Sequence, residues 1–330
     1  MPPAVLSKSQ AKRAKARAEK EALSGKRKAA KTELSSEEEE GDDDDDEDDE
    51  PIELEQEKGA KPELQVDFGF FDPNEADYHG IRAMITAGNG NDLLPAGAAI
   101  DVSGVAGVLC EQAAVGSVAK VLASGSEEPE DDAGVLAFMS AISLHQHRAA
   151  PFAKALTASY LQRCADASAK AALQTLLTAE STGLVISARM INLPPALVPD
   201  LVDSLLKDVA WAGENSDEPV ERETFRKMTK FVVVASVDLP AEGGAGSSSS
   251  GGGGAFDGGG GKKKQKRAME AAALLESLTF ARPEEEVLAA AAEWSTLLNG
   301  PGRSRQLLMA LTPKAIKESI PGMRAIMGDD

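Results

Sequence analysis

The sequence has few cysteines and no long apolar segment. Its 330 residues include two cysteines, Cys110 and Cys164, which are too few for a disulfide scaffold or a structural zinc site. Both have apolar neighbours, a setting that favours small buried thiols. No apolar run approaches the ~20 residues that span a bilayer, and the N-terminus lacks the apolar stretch of a signal peptide. We therefore expect a soluble intracellular protein.

The sequence also lacks the common catalytic motifs. It has no Gly-x-Ser-x-Gly nucleophile elbow. Gly261-Lys262 is followed by a second lysine instead of Ser or Thr, so the phosphate-binding loop is incomplete. The Gly88-Asn89-Gly90 cluster lacks the third glycine of a dinucleotide fingerprint. The residues give no positive support for catalysis.

Histidine is scarce as well, with His79, His145 and His147 as its three positions. His145 and His147 are two residues apart and would share one face of a strand, as in some metal sites. Zinc needs three or four ligands, and no third histidine lies near them in the sequence. The pattern favours a polar strand end that enters a loop.

Charge is distributed unevenly along this chain of net charge −19. Residues 1–31 contain ten basic and two acidic side chains, whereas residues 32–63 contain eighteen acidic and two basic ones. Adjacent carboxylates repel one another and have no apolar surface to bury, so we predict a disordered tail over residues 1–63. The overall acidity argues against nucleic acid as the main partner.

Beyond the tail, strand and helix patterns alternate, which predicts one α/β domain over residues 64–330. Val66, Phe68 and Phe70 have the period-two spacing of a half-buried strand, and Phe231 opens a β-branched run typical of a central strand. A segment of Gly and Ser interrupts the domain, and we predict a flexible loop at residues 241–261.

Two helix starts carry local signals. Asp72, Pro73 and Glu75 fit the N-cap, first-turn and third positions of a helix that runs to about Thr86. Pro283 and the three glutamates after it open a second helix, since acidic residues favour the positive end of the helix dipole. The predicted inner face of that helix carries Val287, Ala291, Trp294 and Leu298.

Basic clusters in the tail form a two-part pattern. Lys12-Arg13 is separated by twelve residues from Lys26-Arg27-Lys28. An extended chain with this spacing suits the acidic grooves of nuclear-import receptors. The alternative is a generic solvated basic arm.

An acidic run follows the basic clusters. A flexible polyanion can wrap a basic client protein through long-range, salt-sensitive attraction, and the alternative is a solubilising spacer. Ser35 and Ser36 each have a glutamate three residues later, so an acid-directed kinase could phosphorylate them. The candidate client-shielding residues are Glu37, Glu38, Glu39, Glu40, Asp42, Asp43, Asp44, Asp45, Asp46, Glu47, Asp48, Asp49 and Glu50.

Five ordered segments give the chain a family resemblance. Residues 72–81, DPNEADYHGI, resemble the opening of the BCCIP family of eukaryotic nuclear proteins. Further segments similar to that family are VGSVAK at 115–120, GLVISARMINLPP at 183–195, FVVVAS at 231–236, and the lysines from 262 with FA at 280–281 and EEE at 284–286. The glycine-rich insert is a departure from the family pattern.

The resemblance implies a mixed central sheet with flanking helices, similar to GCN5-related acetyltransferases but without their activity. The chain has no Gln/Arg-x-x-Gly-x-Gly/Ala loop of the kind that binds acyl-CoA there. The resemblance also implies a nuclear binding protein or chaperone, active in nuclear export and in large ribosomal subunit biogenesis through a basic ribosomal protein. The alternatives are a DNA-repair or cell-cycle adaptor and an atypical acyltransferase.

Overall fold

The computed structural model describes residues 33–34, 64–87, 100–112, 114–123, 126–130, 133–240, 275–300 and 302–328. The predicted tail and the predicted loop at 241–261 lie outside these residues, apart from the pair Glu33–Leu34, so both remain predictions. In the described part of the chain, no helix is long and apolar enough to cross a membrane.

The described part of the chain contains the strands β1 Glu33–Leu34, β2 Leu64–Gln65, β3 Phe68–Phe71, β4 Ser117–Val121, β5 Ala137–Ile142, β6 Thr182–Arg189, β7 Lys230–Asp238, β8 Thr279–Phe280, β9 Trp294–Leu298 and β10 Ser304–Leu311. Most of them form one eight-stranded mixed sheet in the order β3-β4-β5-β6-β7-β10-β9, with β8 paired to β7. The strands β1 and β2 form a separate antiparallel pair.

Helices cover both faces of the sheet. The first four described helices pack on one face and the last four on the other. The helices are α1 Tyr78–Ala87, α2 Val102–Glu111, α3 Pro151–Arg163, α4 Ala167–Thr178, α5 Val198–Asn215, α6 Pro219–Lys227, α7 Pro283–Ala291 and α8 Pro313–Met327. The predicted α/β class with flanking helices is confirmed.

The alternation of side chains along β7 explains why this sheet has two cores. Phe231 and Val233 point to the layer that contains α5 and α8, whereas Val232 and Val234 point to the layer that contains α1 to α4. All four are nearly inaccessible to solvent, and full burial of such a side chain stabilises a fold by ~1.5–3 kcal/mol. A strand buried on both faces reads as a continuous apolar run, so the predicted central strand is confirmed.

The helix start predicted at Asp72 is wrong by two residues. Asn74 is the cap: its Oδ1 accepts a hydrogen bond from the Ala76 amide at 2.9 Å, and the Asn74 amide donates to Asp77 Oδ2 at 3.2 Å. A 3-10 turn at Glu75–Asp77 then leads into α1. Asn74 and Asp77 have the three-residue spacing of a reciprocal capping box, which decides the start.

The helix predicted to continue from Pro283 through Leu298 is also wrong. Pro283 does open α7, but the helix ends at Ala291, and Trp294–Leu298 is strand β9, paired with Ala310 to Gln306 of β10. Trp294 and Leu298 share one face of the sheet and Leu297 takes the other. Residues four apart lie on the same face of a helix and also on the same face of a strand, so the spacing of Trp294 and Leu298 fits both. Pairing with β10 makes this segment a strand.

Two smaller expectations differ from the structure. Cys164 is buried as expected, but Cys110 is only half-buried, and burial raises the pKa of its thiol. Helix α6 was not predicted, because its exposed face is highly charged and only Phe225 among its residues is buried. One anchoring side chain gives too weak a periodic signal for a helix.

Candidate functional site

The site residues predicted from the tail lie outside the described residues. This holds for the import candidates around Lys12 and Lys26, for Ser35 and Ser36, and for the acidic run at 37–50. Their roles therefore stay predictions, and the site built below comes from the folded part of the chain.

The histidines are engaged in local contacts. His145 Nδ1 lies 2.9 Å from the Thr178 carbonyl oxygen, and its Nε2 lies 3.4 Å from a carboxylate oxygen of Glu180. Burial lowers the pKa of His147, whose ring packs against Phe152 with centroids 5.8 Å apart. Over the described ranges, no group of three or more His, Cys, Asp or Glu residues is placed to hold a metal ion.

The most distinctive feature of the sheet is a gap between its two parallel strands. β6 and β7 pair only from Thr182 with Lys230 to Leu184 with Val232, although both strands continue well beyond. Each strand keeps its antiparallel partner on its other side, β5 for β6 and β10 for β7. The sheet therefore opens between the carboxyl ends of β6 and β7, where α/β proteins commonly bind ligands.

A segment of the same chain fills this gap. Phe280 of β8 pairs with Val237 of β7, and the Ala281 amide donates to the Ser236 carbonyl oxygen at 2.9 Å. The chain then enters α7, whose first turn lies between the diverging strands. We call residues 279–285 the wedge. The wedge satisfies backbone groups of β7 that would otherwise face an open cleft.

An ion pair ties the wedge to β6. Arg189, the last residue of β6, donates a hydrogen bond from Nη2 to Glu284 Oε2 at 3.2 Å, and its Nη1 lies 2.8 Å from Glu284 Oε1 without the geometry of a second hydrogen bond. The side chains are 17% and 8% exposed, so the pair is largely shielded from water. The ion pair, with its one charge-assisted hydrogen bond, holds α7 against the end of β6.

The next residue of the wedge is a buried carboxyl. Glu285 is 4% exposed, and within the described residues its Oε2 has no hydrogen-bond partner. Burial raises the pKa of Glu285 from 4.5 to about 8, with a further rise from Glu284 and an opposing effect of Arg282. Glu285 therefore carries a proton over most of the neutral range, which lowers the cost of burying it.

Little space is left between the strands. A cavity of about 40 Å³ remains beside Glu285, lined by apolar side chains that include Val185, Val233 and Leu288. A water molecule occupies about 30 Å³ in the liquid, so the cavity holds about one water. Ligand sites are usually about ten times larger, and an acyl-CoA does not fit there.

The helix that follows β6 is also a poor anion site. Helix N-termini bind phosphate through free backbone N–H groups and the helix dipole. In α5, Pro199 has no N–H to donate, and Asp200 adds negative charge to the first turn. Asp200 is bound by Arg324 at 2.8 Å, a contact that ties α5 to α8 instead of to a ligand.

Sequence reasoning missed the wedge. From sequence, the glutamates at 284–286 serve only the helix-dipole argument and the family resemblance, and Arg189, a cation at the end of an apolar run, appears only within a family segment. That lone cation was the available signal, because a charge next to a buried strand usually has a partner. Its partner, Glu284, is 95 residues away in the sequence. Sequence spacing predicts contacts only within one helix or between neighbouring elements, so it could not identify this pair.

Comparison with known proteins gives consistent matches. The model of the BCCIP family matches residues 63–288. A BCCIP homologue of Arabidopsis thaliana is 32% identical over 181 residues, which cover 54% of this chain and 51% of the relative. Protein bcp1 of Schizosaccharomyces pombe is 30% identical over 161 residues, covering 47% of this chain and 53% of the relative.

A relative from Bos taurus, named BRCA2 and CDKN1A-interacting protein, is 26% identical over 157 residues, covering 46% of this chain and 49% of the relative. The chain thus spans about half the length of the curated relatives it matches. The crystal structure of BCP1 from Saccharomyces cerevisiae aligns with a TM-score of 0.51 at 18% identity, covering 82% of this chain and 92% of that one, which shows a shared fold. Since the family model matches more than half of the sequence, this chain belongs to the BCCIP family.

Proposed function

We propose that this chain is a non-enzymatic nuclear binding protein that chaperones a basic protein of the large ribosomal subunit and takes part in nuclear export of clients. In this mechanism the folded domain holds one face of the client. The acidic run at residues 37–50 covers the client's basic surface until assembly or transport. Import receptors recognise Lys12, Arg13, Lys26, Arg27 and Lys28.

The observation that carries the shielding proposal is the density of charge in the acidic run. Thirteen of the fourteen residues from 37 to 50 are carboxylates. Ribosomal proteins that bind RNA present clustered cations, which attract a polyanion over about a Debye length, ~8 Å at physiological salt. Such attraction speeds association and weakens as salt rises. A spacer that only improved solubility would not need like charges in one block.

The filled gap supports a binding role over acyl transfer. The wedge occupies the space between β6 and β7, and Pro199 and Asp200 make the following helix unsuited to a pyrophosphate. Calorimetry with acetyl-CoA tests this part of the proposal, and we expect no heat of binding at millimolar ligand. Stoichiometric binding with micromolar affinity would contradict it.

The shielding mechanism is tested by neutralising the acidic run without shortening the chain. In the test variant every Glu and Asp from 37 to 50 becomes Gln or Asn, and a second variant lacks residues 32–63. We expect both to associate with a purified basic ribosomal protein at least about tenfold more slowly than the full chain at low salt. We also expect them to lose most of the salt dependence. Equal rates in all three proteins would leave shielding without support.

Nuclear import is tested separately. Alanine at Lys12, Arg13, Lys26, Arg27 and Lys28 removes both basic clusters and leaves the folded domain untouched. We expect a fluorescent fusion of this variant to spread through the cytoplasm, whereas the unchanged fusion collects in the nucleus. Unchanged nuclear accumulation would show that the clusters are a generic basic arm.

A second candidate function is a DNA-repair or cell-cycle adaptor. It is favoured by the name of the Bos taurus relative, which describes interaction with BRCA2 and CDKN1A. An adaptor of this kind would bind its partners through the folded domain, with the tail setting only location. Partner recovery at two salt concentrations distinguishes the two functions, because shielding is salt-sensitive and a packed adaptor interface is much less so.

A further inference from the structure

A groove runs along the outer side of the α3–α4 hairpin. Ala153, Thr157 and Leu161 recur every four residues and so follow one side of α3, and the small side chains of Ala153 and Thr157 leave space against α4. The groove has a volume of about 380 Å³, which is within the usual range for peptide and ligand sites. Its lining residues are Leu144, His145, Arg148, Ala153, Lys154, Thr157, Ala158, Leu161, Leu177 and Thr178.

The groove combines an apolar floor with a basic rim. Leu144, Ala153 and Leu177 are buried in the floor, whereas Lys154 is exposed at the rim together with Arg148. The lining includes two cationic side chains, one histidine and no acidic residue. Glu180 lies beside the groove, where its carboxylate is bound by Lys227 at 2.9 Å and lies 3.4 Å from His145 Nε2. This surface suits an acidic segment that also offers apolar side chains.

We propose that residues 51–57 of the same chain, Pro-Ile-Glu-Leu-Glu-Gln-Glu, dock in this groove. Ile52 and Leu54 are the large apolar side chains between residues 35 and 63, and carboxylates surround both. In an extended segment, residues two apart face the same side. Ile52 and Leu54 then enter the apolar floor, and the carboxylates around them lie beside Arg148 and Lys154.

The length of the chain permits this contact. Leu54 is ten residue steps from Leu64, where the described part resumes, and a chain of that length spans up to ~35 Å when extended. A domain of about 265 residues has a radius of gyration near ~18 Å, so the segment reaches most of its surface. The tether supplies a local concentration in the millimolar range, and a modest affinity is therefore enough to keep the groove occupied.

Docking would fix where the acidic run leaves the domain, an inference that rests on the proposed shielding function. The run at 37–50 lies between β1, which pairs with β2, and the docked segment, so it would extend from that pair of strands to the α3–α4 face of the domain. A basic client would then meet the polyanion at that face. Docking in the groove would hold the tail at this face of the domain, and the basic client would bind from the same side.

Carbodiimide cross-linking of the full chain, followed by mass spectrometry, tests the docking. The reagent joins a lysine to a carboxylate at salt-bridge distance. We expect Lys154 to link to Glu53 or Glu55 at a yield about tenfold above that of Lys314. Lys314 is a suitable reference because its side chain is 83% exposed and it lies on α8, at the other face of the sheet. Equal yields at the two lysines would overturn the proposal.

Two variants separate apolar docking from charge attraction alone. Ile52→Ser with Leu54→Ser keeps every charge and lies outside the folded domain, and Ala158→Glu places a carboxylate at an exposed position of the groove. We expect the serine variant to lower the yield of the Lys154 link to Glu53 or Glu55 at least about tenfold, because two apolar side chains no longer enter the floor. We expect the glutamate variant to lower the same yield because its carboxylate repels those of the segment. An unchanged yield with the serine variant would show that charge alone makes the contact and would overturn docking.

The outcome is distinguishable from failure of the shielding function. If Lys154 forms no such link while the amide variant of residues 37–50 still loses its client, docking is wrong and shielding stands. If the link forms and the amide variant keeps its client, docking stands without shielding.

Discussion

The buried carboxyl of the wedge makes the stability of this protein depend on pH in a specific way. Replacing Glu285 with Gln keeps the shape of the side chain and removes its ionisation. A carboxyl whose pKa is higher in the folded protein than in the unfolded chain binds a proton on folding. Its favourable contribution is complete below the unfolded value of 4.5 and is lost as the pH rises through the folded value of about 8.

The size of the effect follows from that shift. One pKa unit corresponds to ~1.4 kcal/mol, so folding loses up to that amount per pH unit between the two values. From about pH 5 to about pH 8 the protein should lose ~3–4 kcal/mol relative to Glu285→Gln. The two proteins should have similar stability near about pH 5, and the variant should be the more stable one above about pH 6.

Urea unfolding at a series of pH values measures this difference, with the fluorescence of the two tryptophans as the signal. Glu286→Gln is the matched control. It removes the same carboxyl group from the same helical turn, but Glu286 is exposed, whereas Glu285 is buried. We expect the control to follow the unchanged protein across the series. A free-energy difference for Glu285→Gln that stays constant with pH would refute the assignment of a raised pKa to this carboxyl.

Two further predictions use the same unfolding measurement. Arg189→Met leaves the Glu284 carboxylate buried without its cation and should lower the free energy of unfolding by ~3–5 kcal/mol. Adding Glu284→Met should restore most of that stability. A loss below about 1 kcal/mol would show that water replaces the guanidinium. Gly116→Ala should cost ~1–3 kcal/mol, because Gly116 has φ of 127° and a Cβ there would lie 2.8 Å from Ser140 Cβ. Gly107→Ala is the control, because nothing lies within 4 Å of a Cβ at that helical position. It should stabilise the protein by ~0.5–1 kcal/mol. Equal effects at the two glycines would contradict the steric argument.

Local sequence signals succeeded where a single element produced them. The α/β class and the central position of β7 both follow from apolar periodicity. These predictions hold because each strand or helix must bury its own apolar side. The family resemblance came from short ordered segments in the same way, and the family match confirms it.

Local sequence signals failed where one segment fitted two structures equally well. Trp294 and Leu298 fit a continued helix as well as a strand, and only the ladder with β10 excludes the helix. Asp72 and Asn74 both qualify as caps, and the contact of Asn74 with Asp77 selects the second. In each case the spacing was correct, but it allowed more than one structure.

The sequence by itself determined the charge pattern of the tail, the alternation of strands and helices, and the membership of the BCCIP family, because each depends on residues that are neighbours in the chain. Only the tertiary structure decided that the two parallel strands diverge and that residues 279–285 fill the space between them. That arrangement depends on Arg189 meeting Glu284 and on β8 pairing with β7. These contacts join residues that are far apart in the sequence and form only when the elements pack together. No local sequence pattern predicts them.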